Sequence, residues 1–84
     1  MNKDFHKDFG NKLKELRRQK GLTQEELFFE SGVSRSHIGM VENGKRDISL
    51  SAIFKISRAL DVNFLKLFEF DDLDKYTYKN DEIK

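Results

Sequence analysis

Apolar residues recur along the chain at helical spacing, in short stretches separated by capping residues and glycines. Phe5, Phe9, Leu13 and Leu16 fall at intervals of four, four and three. That is one stripe of an amphipathic helix reaching to about Lys20, where Gly21 stops it. Met1 to Asp4 carry no pattern and are expected to fray. Thr23 followed by Glu26 is a capping box, so a helix begins there and runs through Leu27 and Phe28 to about Ser31, ending at Gly32. Only Val33 precedes Ser34, a second cap, which predicts a helix from Arg35 to Asn43 closed by Gly44. Two helices joined this tightly cannot lie side by side, and a short glycine-containing turn gives them a steep crossing. Ser49 caps a fourth helix, Leu50 to about Leu60, with Ile53, Ile56, Ala59 and Leu60 inward. After a break at Asp61 and Val62, Asn63 caps a fifth over FLKLFEF. Leu22, Leu27, Val33, Ile38 and Val41 complete the expected core.

The fifth segment has more apolar residues than one stripe can hold. Phe64, Leu65, Leu67, Phe68 and Phe70 spread over most of its circumference, so the part that does not face the core needs another cover. A second copy of the chain would supply it, with Phe54 joining the patch; the other reading is that the chain buries the whole set itself. From Asp71 onward the pattern dissolves into DDLDKYTYKNDEIK, read as a mobile tail or a loosely docked extension. The expected organisation is therefore one domain over 5–70 and an acidic tail over 71–84.

Composition removes several classes of function. Eighty-four residues make one small domain, marginal in stability without a partner subunit. There is no cysteine, hence no disulfide framework and no thiolate metal site, and the two histidines lie far apart in sequence. Without a glycine-rich phosphate loop or a credible nucleophile and base, an enzyme, a metal site and a small-molecule cofactor are not expected. No run resembles a signal peptide or a membrane span, so the chain reads as soluble and cytoplasmic. Net charge is only +1, but it is unevenly placed: residues 1–68 hold 13 basic and 9 acidic side chains, while 69–84 hold 3 and 6.

The second helix of the tight pair is the one to read for chemistry. Ile38 and Val41 form its inner face, and Arg35, Ser36, Gly39, Met40 and Asn43 turn outward. This outer face is short in side chain with an arginine in the first turn, which lets a helix settle into a DNA major groove about 12 Å wide. Arg35 can bond guanine O6 and N7 together, Ser36 can donate or accept, and Met40 can touch a thymine methyl. His37 either bonds a phosphate or stands in solvent, and His6 is read as surface. Lys45 and Arg46 follow as flanking cations. The basic end of the first helix, with Arg17 and Arg18, serves either the helix dipole or phosphate contact.

These stretches together, FGNKLKELRRQKGLTQEEL, SGVSRSHIGMVENGKR and SLSAIFKISRALDVNFLKLF, resemble the phage repressor and Cro-like (XRE-type) helix-turn-helix proteins of bacteria. The resemblance covers about Phe9 to Phe68 and implies an all-α, five-helix, lambda-repressor-like domain with the helix-turn-helix at the second and third helices. It further implies a homodimer on double-stranded DNA, regulating transcription from a palindromic operator. Carried over residue by residue, base contacts fall on Arg35, Ser36 and Met40. Phosphate contacts fall on Arg17, Thr23, Gln24, Ser34, His37, Asn43, Lys45 and Arg46, with Gln24 also buttressing the recognition helix. The dimer interface falls on Phe54, Phe64, Leu65 and Phe68. Arginine followed by serine here, with arginine in the next loop, is similar to controller proteins of restriction-modification operons, which regulate their own promoter. The rival reading is an antitoxin or other interaction module that caps a partner protein with exposed aromatic rings. One position departs from the family: Phe28 stands where alanine usually permits a close helix crossing. Either Gly39 or Ser31 leaves room for the ring, or it is deflected, and Phe29 beside it can extend an apolar surface patch.

Overall fold

In a computed structural model, residues 4–70 are described, and the tail assigned to 71–84 lies outside them. Four α-helices follow in order: α1 Phe5–Gln19, α2 Gln24–Ser31, α3 Arg35–Glu42 and α4 Leu50–Leu60, and a 3-10 turn over Phe64–Phe68 comes last. Local chemistry accounts for each start. Thr23, Ser34, Ser49 and Asn63 all accept a first-turn amide on their side-chain oxygens, as the sequence predicts. Asp4 does the same for α1, taking the Lys7 amide at 3.0 Å, so the residue expected to fray is instead a cap.

The fifth helix is also corrected: it is a 3-10 turn. Asn63 takes the Leu65 amide on its side chain and the Lys66 amide on its carbonyl, both at 2.8 Å. The i to i+3 bond winds five residues tightly, too few to enter an α-helical register. That winding divides the apolar surplus. Leu67 is fully buried, Phe64 and Phe68 pack partly against the core, and Leu65 stays 67% exposed.

The core draws Phe9, Leu13 and Leu16 from α1, Leu27 from α2, Ile38 and Val41 from α3, and Ile53, Ile56 and Leu60 from α4. At Gly10 the α1 backbone lies close against that of α3. A Cβ on Gly10 would stand 2.7 Å from the Glu42 carbonyl oxygen and nearer still to that of Val41, so only glycine fits. The crossing of α2 with α3, where Phe28 raised the question of room, is looser. Phe28 sits half-buried at the edge of the core with its ring 5.2 Å from that of Phe29. The open side of Gly39 is faced by the Gln24 amide, 3.5 Å from where a Cβ would lie.

Candidate nucleic-acid interface

The α2–α3 pair is assembled from its joints. Thr23 and Glu26 close the capping box in both directions, at 3.0 and 2.8 Å. Gly32 takes φ +79° and returns its amide to the Phe28 carbonyl, a left-handed cap that glycine adopts at no steric cost. Val33 is buried as the peg of the turn. Ser34 then accepts the His37 amide at 3.1 Å and starts α3. Both cap hydroxyls are engaged as acceptors, which leaves their O–H hydrogens to donate outward.

Behind the helix pair lies a buried carboxylate. Glu42, on the last turn of α3, is 2% exposed. Its Oε2 accepts from Arg17 Nε at 2.6 Å, and its Oε1 accepts from Arg17 Nη2 and Gln24 Nε2, both at 3.0 Å. Arg17 Nη1 donates to the Leu22 carbonyl at 2.7 Å. One carboxylate therefore ties α1 and α2 to α3. This corrects the assignment of Arg17 to phosphate: the residue is 7% exposed, and each of its three guanidinium nitrogens donates inside the protein. Its neighbour Arg18 is exposed and lines an open groove with Arg17, Thr23, Gln24, Glu25 and Arg35. Gln24 lies between the Glu42 carboxylate and Gly39, both on α3, the position a buttress requires. No local signal marks the Arg17–Glu42 pair, since its members are 25 residues apart.

The outer face of α3 follows the helical wheel except at Gly39, which is half-buried against the Gln24 amide. Arg35, Ser36, Met40 and Asn43 are exposed and Ile38, Val41 and Glu42 are buried behind them. Lys45 and Arg46 are exposed in the loop that follows, its start fixed by the Lys45 amide on the Met40 carbonyl at 2.9 Å. His37, assigned to phosphate from the sequence, is instead half-buried with Nε2 donating to the Asp47 carbonyl at 3.1 Å. His6 meets the Asp47 carboxylate, so two histidines distant in sequence converge on one aspartate.

Leu65 and Phe54, 67% and 52% exposed, are joined as exposed large apolar residues by Leu50, 72% exposed and absent from the sequence-based set. Arg58 stands 5.8 Å above the Phe54 ring. Phe68 is directed inward, its ring 5.3 Å from Phe9, and Phe64 leans on Phe68 at 6.0 Å. Those two therefore serve the chain's own packing at least in part.

A buried scaffold presenting a short, polar, arginine-led helix face defines a helix-turn-helix protein. Residues 13–67 match the helix-turn-helix family model, and the chain belongs to that family of DNA-binding transcription regulators. Among similar proteins, control protein C.MunI from a Mycoplasma species is 41% identical over 68 residues, spanning 80% of this chain and 89% of its own. Control protein C.BamHI from Bacillus amyloliquefaciens is 41% identical over 63 residues, 74% of this chain and 78% of its own. The crystal structure of the restriction-modification controller protein C.AhdI from Aeromonas hydrophila superposes with a TM-score of 0.72 at 50% identity, covering 74% of this chain and 94% of that one.

Proposed function

We propose that this protein is a homodimeric controller of a restriction-modification operon, binding a two-fold-related operator and regulating its own promoter. The observation that carries this is the exposed face of Arg35, Ser36 and Met40 on a helix whose opposite side is fastened by the buried Glu42 carboxylate. Each subunit sets that face in a major groove; Arg35 reads guanine, Ser36 and Met40 read its neighbours. Thr23, Gln24, Ser34, Asn43, Lys45 and Arg46 take the flanking phosphates, and Arg18 replaces Arg17 among them. The dimer forms through Leu50, Phe54 and Leu65, with Phe64 and Phe68 as its floor. Two-fold symmetry then places half-sites about 34 Å apart, or a multiple of that. Selection from a random duplex library followed by sequencing tests this: a palindromic consensus with half-sites one or two helical turns apart is expected, and recovery of no consensus would refute it.

A second reading, an interaction module for a partner protein, draws on Phe29, which is 73% exposed with its ring against Phe28. Phe29→Ser should leave operator affinity unchanged, and a co-purifying partner lost in that variant would favour the second reading.

A further inference from the structure

The loop between α3 and α4 is gripped at both ends and carries exposed cations between them. Gly44, at φ +72°, lies so close to α1 that a Cβ on it would stand 2.7 Å from Lys7 Cα, and Ile48 packs against the core. The first turns of α1 are themselves fixed by rings, Phe5 at 5.8 Å from Phe70 and Phe9 at 5.3 Å from Phe68. Between the two grips stand Lys45 and Arg46, both exposed, and then Asp47. Asp47 reaches both neighbouring helices: its carboxylate meets His6 Nε2 on α1, and its carbonyl accepts from His37 Nε2 on α3. Among the described residues no three histidine, aspartate or glutamate side chains group to hold a metal ion.

We infer that Asp47 is a positioning residue for DNA contact: clasped by His6 and His37, it fixes the loop so that Lys45 and Arg46 are presented to the phosphates already ordered. The inference rests on the DNA-binding reading above. A loop ordered beforehand does not lose that freedom on binding, and affinity rises accordingly. The clasp also gives the carboxylate a partner. An unclasped aspartate beside two phosphate-seeking cations would simply repel the duplex.

Charge alone and positioning predict opposite signs, which makes the test decisive. If Asp47 acted only as a negative charge near DNA, Asp47→Ala would tighten binding. If it positions the loop, Asp47→Ala and His6→Ala both weaken binding to the selected palindromic duplex, by about two- to fivefold per half-site, the range expected of an exposed pair. Fluorescence anisotropy over a salt series should record that loss with an unchanged melting temperature. Asp47→Asn keeps an acceptor for His6 and should restore at least wild-type affinity. In an Arg46→Ala background the Asp47→Ala loss should shrink, because there is less left to position. Binding by Asp47→Ala equal to or tighter than wild type, or a loss undiminished by Arg46→Ala, would overturn the inference. Should the unaltered protein bind no duplex, both readings fall; should it bind in an Arg35-dependent way yet ignore Asp47→Ala, only the clasp does.

Discussion

Arg35 and Glu42 occupy the same eight-residue helix and divide its work between them. Arg35 is exposed at the first turn, so under the proposed function its removal should subtract recognition without touching the scaffold. Arg35→Ala should cost about 1–3 kcal/mol of discrimination at one base pair per half-site and keep weak, salt-sensitive binding to any duplex, read by titration against specific and scrambled DNA. Glu42 is the reverse case. Glu42→Gln leaves the Arg17 guanidinium buried beside a neutral amide, and breaking a buried pair from one side costs about 3–5 kcal/mol. Against the few kcal/mol that a domain of this size has in total, a large fall in the urea midpoint is expected. The sequence made Arg35 legible and Glu42 illegible for a physical reason. An exposed helix face follows from the wheel of its own helix, whereas a charged residue is buried only when a distant partner meets it, and nothing local names Arg17 as that partner.

At the scale of elements, the starts of the helices were readable because a cap is chemistry between residues two or three apart. Thr23, Ser34, Ser49 and Asn63 each act on the amides just ahead of them. The close crossing was not readable, because it depends on which two helices touch. Phe28 drew suspicion to α2 and α3, while the backbone contact is between α1 and α3 at Gly10. A glycine inside an exposed helix would gain about 1 kcal/mol on replacement by alanine. At this crossing the sign reverses, since the added methyl meets main-chain carbonyls that cannot turn aside. Gly10→Ala should therefore lower the melting temperature, at a cost of about 1–3 kcal/mol or more, and a rise would show that α1 can shift. The last segment was mistaken for an α-helix because its apolar density was clear and its length was not enough to complete α-helical turns.

On the scale of the whole molecule, reading face and proposed dimer face are carried by different elements, α3 on one hand and α4 with the 3-10 turn on the other. Leu65→Glu should yield monomers in analytical ultracentrifugation that keep the helical circular-dichroism signature but melt at a lower temperature, because Leu65 is largely outside the core while the lost partner no longer stabilises the folded state; an unchanged dimer would place the interface elsewhere. The excess of apolar residues near the C-terminus marks that surface in the sequence, whereas Leu50, at the first turn of α4, lies off the inward stripe of Ile53, Ile56 and Leu60 and carries no such signal. The fastening by Glu42 also bears on how operators diverge. Because the carboxylate grips α3 from behind, residues 35, 36 and 40 can be exchanged without loosening anything that holds the helix in place. A variant altered at those three positions should fold as well as its parent and select a different palindrome, so new addresses on DNA are open to this scaffold through its surface alone.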